Sequence, residues 1–269
     1  MMMKHIRLFF TGILINIQFL TSIPVKKNFS LDKKELTYAL QTFPILGLIQ
    51  GFIYAGIFFG LDHYFPFSDV LNALILWLML IILTGGIHLD GWIDTSDAYF
   101  SYKDAKRRLE VMEDPRVGAF GVLSVVVFLI VRFIVLYEWI RVGDATIYVA
   151  IIVIPFLGKM LTASLLQGLP LAKEKGMASF LRQGKSSRYH FYHLLYLILV
   201  GAGIAYLVPK YLLVYCSFIL VAIIVRLGMG SRIKRNFNGI SGDTLGAGTE
   251  GMELILWMTG LALHFFVTG

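Results

Sequence analysis

The sequence predicts an all-α polytopic bundle in a membrane, on three observations. Hydrophobic residues make up 57% of the 269 positions and charged residues only 15%, with a mean hydropathy of +0.74. The apolar residues gather in runs of membrane-crossing length, at about 8–23, 39–61, 70–89, 118–138, 145–168, 191–209, 211–229 and 251–267. The basic residues gather between those runs, in alternate connections. A soluble globular chain carries roughly 45–50% apolar and about 25% charged residues. The composition therefore excludes an ordinary soluble enzyme, a disordered chain and a nucleic-acid-binding domain. Helix is the only secondary structure that suits the runs, because an open sheet leaves backbone groups unpaired in lipid.

The first run follows Lys4 and Arg7 and imitates a secretory leader, but it ends in Thr21-Ser22-Ile23-Pro24 without a small-x-small cleavage site. It reads as a retained segment, and Asn16 and Gln18 within it suit an interfacial or re-entrant helix. Each later run is long enough to cross roughly 30 Å of hydrocarbon. Cys216, the only cysteine, lies inside a run; it excludes an intrachain disulfide and a cysteine-based zinc site and reads as a small apolar packing residue.

The net charge of +7 is an orientation signal once the cations are located. Basic loops lie at about 24–38 (Lys26, Lys27, Lys33, Lys34), 90–117 (Lys103, Lys106, Arg107, Arg108, Arg116), 169–190 (Lys173, Lys175, Arg182, Lys185, Arg188) and 230–250 (Arg232, Lys234, Arg235). The connections between them hold at most Arg141 or Lys210. The alternation places the basic loops in the cytoplasm. If the first run does not cross, about seven helices span. Residues 1–269 then form a single membrane-embedded domain, with no internal repeat or low-complexity tract.

Two polar clusters carry chemical character, both at the basic loops. The first is Thr84-Gly85-Gly86-Ile87-His88-Leu89-Asp90-Gly91-Trp92-Ile93-Asp94-Thr95-Ser96-Asp97. A helix stacks Asp90, Asp94 and Asp97 on one face, where like charges repel and favour a counter-ion over a merely solvated acidic face. Asp90 and Asp97 are roughly 10 Å apart along such a helix. One Mg²⁺ with ligands near 2.1 Å is shared by 90/94 or 94/97, but not readily by all three. Either two neighbouring metals or one metal and a carboxylate base fits. An all-oxygen donor set selects Mg²⁺ or Mn²⁺ over zinc. His88 is a ligand, a base or simply a hydrogen-bonding residue.

The same segment continues through Arg107, Arg108, Leu109-Glu110-Val111-Met112, Asp114, Arg116, Gly118 and Gly121. Asp114 offers a further metal ligand and Arg116 a bidentate phosphate fork. Arg107 and Arg108 read as orientation signals. Gly118 and Gly121 open a membrane helix, where they either present backbone N–H groups to an anion or allow close packing. The second cluster is Asn236 to Glu253, with Asp243, Glu250 and Glu253 on one face if it is helical. Its glycines weaken the helix and fit a loop close to a ligand. Arg132, Lys159 and Arg226 are cations within spans. Arg132, about 14 residues into its run, is too deep to reach the interface and faces the interior. Lys159 and Arg226 either snorkel or join it. Acidic loops facing such cations describe a site for a metal-bound diphosphate.

With these motifs in view, the chain resembles the adenosylcobinamide-GDP ribazoletransferase (cobalamin synthase) family. The resemblance runs through Phe19-Leu20-Thr21-Ser22-Ile23-Pro24, Phe43-Pro44-Ile45-Leu46-Gly47 with Gly51, both acidic clusters, and the Leu109-to-Gly121 motif. It implies an integral protein of the cytoplasmic (inner) membrane that joins adenosylcobinamide-GDP to α-ribazole, or its 5′-phosphate, with Mg²⁺, releasing GMP. That is the last step of cobalamin nucleotide-loop assembly. The implied metal ligands are Asp90, Asp94, Asp97 and Asp114. Asp94, Asp97, His88 and Arg116 carry the chemistry, and Arg116, Arg132, Lys159, Asp243 and Glu250 bind substrate. The partners are these small molecules and the bilayer, not nucleic acid, with room for a homo-oligomer or a complex with other cobalamin-assembly enzymes. Two positions depart from the family pattern: Glu113 stands where a basic residue is usual, and Lys159, which lacks a bidentate fork, where arginine is common.

Two other classes compete. A CDP-alcohol phosphotransferase also clusters aspartates on membrane helices, but needs an arginine soon after the first Asp-Gly. Here Asp90-Gly91 is followed by Trp92-Ile93-Asp94. A secondary transporter expects its cation site near the midplane on repeated, broken helices, whereas these carboxylates sit at loop edges.

Overall fold

The computed structural model describes residues 2–101 and 104–268. Lys103, one of the basic loop residues, lies outside the described residues. Each apolar run becomes a helix, except that the run at 70–89 breaks at 83–86 and ends in the first turn of a second helix. The helices of the runs are α1 (Met2–Leu20), α2 (Lys33–Tyr64), α3 (Asp69–Ile82), α6 (Ala119–Val142), α7 (Thr146–Gly168), α9 (Tyr189–Leu207), α10 (Leu212–Phe237) and α11 (Gly242–Leu263). The polar connections supply shorter helices, α4 (Ile87–Ser101), α5 (Ala105–Val111) and α8 (Met177–Arg182). Among the described residues there is no strand, only an isolated bridge between Leu171 and Ile240.

The bundle is built around α7. Of its most apolar stretch 89% is buried, against 11% for α9 and for α10. α2, α11 and α10 pack on it. α2 approaches closely because Gly47 and Gly51 face the α7 backbone, where a Cβ at Gly51 would lie 2.6 Å from the Ile152 carbonyl. Outward positions such as Phe52, Leu123, Ile130, Leu220 and Ile224 are exposed, as a lipid-facing wall requires. Cys216 also faces outward on α10, so it does not fill the core.

Among the described residues five helices (α2, α6, α7, α9 and α10) are individually long and apolar enough to cross a membrane. α3 and α4 qualify only as a joined pair, bent by 82°. The expected number of about seven thus becomes five or six, with α1 and α11 outside that set. The bend is written in the sequence. Gly85 and Gly86 adopt φ of +63° and +72°, a left-handed conformation that residues with a Cβ resist. Thr84 Oγ1 donates to the Ile81 carbonyl at 3.0 Å, and Ser22 N–H at the end of α1 donates to the Leu83 carbonyl at 2.9 Å. The two Thr-containing motifs therefore meet at one corner.

α1 packs along α2. Asn16 is buried there, donating to the Ala39 carbonyl at 2.9 Å and to Thr42 Oγ1 at 3.0 Å. Its polarity serves this helix contact.

The glycine-rich second cluster corrects an expectation, because it is helix and not loop. α11 starts at Gly242, capped by Ser241, whose Oγ accepts from Thr244 N–H at 3.1 Å while Thr244 Oγ1 accepts from Ser241 N–H at 2.8 Å. Glycine weakens a helix by about 1 kcal/mol per residue relative to alanine. Here the missing side chains let α4 lie directly on α11: a Cβ at Gly246 would come within 3.1 Å of the His88 backbone. Packing outweighs the propensity cost.

Candidate active site

The first acidic cluster forms α4, and Asp90, Asp94 and Asp97 share one face of it as their spacing requires. Asp90 is exposed, Asp94 half-buried and Asp97 buried. α4 crosses the start of α11 so closely that a Cβ at Gly91 would lie 2.6 Å from the Asp243 carbonyl oxygen. Asp243 thereby joins the aspartates of α4. Asp94 feels the negative charges of Asp90, Asp243 and Asp97, with Lys173 as the opposing cation. Lys173 is itself paired with Glu113 at 2.9 Å. The cluster is therefore short of positive charge.

That shortage is the test of fit for a divalent cation. Hard carboxylate oxygens crowded together without compensating cations are the donor set that Mg²⁺ or Mn²⁺ takes. Asp90, Asp94 and Asp243 fit the role. As the side chains lie, no group of three or more His, Cys, Asp or Glu among the described residues is close enough together to hold a metal ion, so these carboxylates would have to turn toward one.

Asp97 and Asp114 are engaged elsewhere. Asp97 Oδ1 accepts from Gly121 N–H at 3.3 Å, at the start of α6, and its carboxylate abuts the position a Cβ of Gly118 would take. The anion at this helix start is the protein's own, and both glycine properties anticipated from the sequence operate together. Asp114 receives Arg116 on both oxygens, Nε to Oδ1 at 2.9 Å and Nη2 to Oδ2 at 2.6 Å. This pairing holds the Asp114 carboxyl down at about 2. The Arg116 side chain is exposed, and its fork is of the kind that pairs with phosphate as well as with carboxylate.

Behind α4 lies a second set of charges, fully inside. Arg132 on α6 donates from Nη1 to Glu250 at 2.6 Å and from Nη2 to Glu253 at 3.0 Å. All three side chains are below 10% exposed. Gly158 on α7 makes room, since a Cβ there would meet Glu253 Oε1 at 2.7 Å. Lys159, also buried, stands with Nζ 2.6 Å from His88 Nε2, so its ammonium donates into the imidazole lone pair. Lys159 does not snorkel: its side chain is buried and its Nζ is turned inward to His88. Arg226 reaches Ser164, with Nε 2.6 Å from its hydroxyl, and stands apart from the acids.

Sequence reasoning missed the work of Arg108. Its side chain is buried, donates to Asn236 Oδ1 at 2.7 Å and to the Tyr99 carbonyl at 3.3 Å, and stacks on Tyr99 and Phe237. It clamps α4 and α5 to the end of α10. Arg107 beside it is exposed and 4.0 Å from Glu110. The aromatic residues flanking the Arg108 contacts were the only sequence signal.

The Cobalamin-5-phosphate synthase family model matches residues 12–262, nearly the whole chain. The chain belongs to that family. Relatives named adenosylcobinamide-GDP ribazoletransferase include one from Geobacillus sp. (strain WCH70), 37% identical over 92% of this chain and 94% of its own. Another, from Geobacillus kaustophilus, is 36% identical over 96% and 98%. A third, from Halalkalibacterium halodurans, is 29% identical over 96% and 97%. No solved structure matches. The cobalamin synthase family thus covers both acidic clusters and the helices that carry them.

Proposed function

We propose that this chain joins adenosylcobinamide-GDP to α-ribazole, or its 5′-phosphate, and releases GMP, as the names of its relatives describe. The observation that carries the reading is the charge-deficient cluster of Asp90, Asp94 and Asp243 where α4 crosses α11. It fits a diphosphate substrate delivered with a divalent cation. A ring hydroxyl of the ribazole ribose, free in both α-ribazole and its 5′-phosphate, attacks the phosphorus that stays with cobinamide. A new P–O bond forms, the bond to the bridging oxygen breaks, and GMP leaves with that oxygen in line. The hydroxyl proton passes to a carboxylate of the cluster.

Asp90, Asp94 and Asp243 would hold Mg²⁺, which neutralises diphosphate charge. Arg116 exchanges Asp114 for the leaving phosphate. Asp97, buried against α6, holds α4 in place, and the pair of Lys159 with His88 fixes its first turn. Arg132, Glu250 and Glu253 act as the rigid floor and not as direct substrate contacts, since their charges are spent on one another. The basic connections at this end favour the cytoplasmic face of the inner membrane.

The test incubates purified protein in liposomes with adenosylcobinamide-GDP and α-ribazole, with Mg²⁺ or with EDTA, and reads products by mass spectrometry. Adenosylcobalamin and GMP that appear only with Mg²⁺ support the proposal. A folded sample that forms neither, with either base form and with Mg²⁺ or Mn²⁺, overturns it.

A further inference from the structure

Away from the acidic cluster, a cavity of about 220 Å³ opens between α7, α9 and α10. Most of its wall is apolar, including Leu157, Leu161, Leu197 and Ile223. Three polar side chains interrupt it, Ser164, His193 and Arg226. His193 is about nine-tenths buried, yet its Nε2 has no hydrogen-bond partner among the described residues. Arg226 has no carboxylate within ion-pair distance among them, and its bonds run only from Nε and Nη2 to Ser164. Its Nη1, beside Gly230 one turn on, has no hydrogen-bond acceptor among the described residues. An unpaired imidazole nitrogen and an uncompensated guanidinium in one apolar cavity are costly unless a ligand satisfies both.

The position of the cavity says what that ligand is. The Arg226 guanidinium reaches Gly168, the last residue of α7, which the hydroxyl of Tyr189, the first residue of α9, also approaches. It therefore stands beside the end of α7, where the basic connection 169–190 begins, while the apolar wall extends inward beside α9 and α10. Both helices are exposed over most of their length, so the cavity faces lipid. A ligand with an anionic head at the interface and an alkyl tail in the hydrocarbon matches this polarity. The bilayer supplies such molecules at high local concentration.

We propose that this cavity is a binding site for one anionic phospholipid. Its phosphate is held by Arg226 Nη1, its head-group or ester oxygens face His193 Nε2, and one acyl chain lies along the α7–α9 wall. The site does not depend on the transfer reaction. It would secure α9 and α10, the most loosely packed helices, against α7.

The test measures lipid retention by native mass spectrometry after reconstitution in equimolar phosphatidylglycerol and phosphatidylcholine of matched chains. Wild type is expected to keep one phosphatidylglycerol in preference to phosphatidylcholine. Arg226→Gln should reduce that preference about fivefold, the weight of one interfacial cation. Ala222→Trp, which fills the cavity from α10, should remove the retained lipid of either kind. A melting curve in lipid-free detergent shows whether each variant folds, and Ala222→Phe replaces any that does not. Equal retention of the two lipids by wild type, or an unchanged preference in folded Arg226→Gln, overturns the proposal. So does displacement of the retained lipid by α-ribazole, which would make the cavity a substrate site.

Discussion

Two groups of charges lie on opposite sides of α4, and they differ in how they are balanced. Inside the bundle, Arg132 and Lys159 stand against Glu250 and Glu253, two cations for two acids, all buried. At the outer side, Asp90, Asp94, Asp97 and Asp243 face one lysine that is already paired with Glu113. Burial without compensation is not tolerated, so the interior must be neutral as it stands. The outer cluster is partly exposed and can remain in charge deficit until a cation arrives. The comparison teaches that a structural network and a ligand site can share residue types and be told apart by their charge balance.

The sharpest way to break the comparison is to unbalance the interior. Arg132→Met leaves Glu250 and Glu253 buried without a partner and should cost about 3–5 kcal/mol, seen as a large fall in thermal stability in detergent. The outer cluster should respond in the opposite manner. Asp94→Asn should lower transfer by at least about 10²–10³-fold, with a melting curve close to wild type. If both substitutions damaged folding equally, the distinction would collapse.

Smaller effects sharpen it. Gly118→Ala forces a methyl group onto the Asp97 carboxylate and should cost about 1–3 kcal/mol as an overpacked contact, with a matching loss of activity because α4 is displaced. Arg116→Lys keeps the charge but not the fork, and a several-fold loss in turnover at unchanged stability is expected. The smallest effect concerns pH. Asp114 is held near 2 by Arg116, so it stays ionised in the fold and its contribution would be lost only as pH falls through that value. Asp114→Asn should therefore leave the shape of the pH–rate profile between about pH 5 and 8 unchanged.

Much of this was legible in the residues. Eight apolar runs mark eight helices, and the i, i+4, i+7 aspartates do share a face of α4. Gly85-Gly86 lies inside what reads as the single run 70–89, and only the structure shows that the chain turns there by 82° into α4. Three things were not legible, each because it depends on contacts distant in sequence. Asp97 caps α6 through Gly121, 24 residues on. Arg132 finds its acids on α11, 118 and 121 residues away. The glycines of α11 look like loop residues until α4 is laid on them. Local propensity has no access to any of these partners.

The most direct measurement is Mn²⁺ binding by electron paramagnetic resonance on purified protein in detergent, without substrates. Wild type should withdraw Mn²⁺ from solution, and Asp94→Asn and Asp243→Asn should each weaken that binding by about tenfold or more, since each removes a carboxylate ligand. Glu253→Gln and Asp114→Asn should leave it unchanged. Binding that survives in Asp94→Asn and Asp243→Asn, or is lost in folded Glu253→Gln, would contradict the assignment of the charge deficit to the cation site.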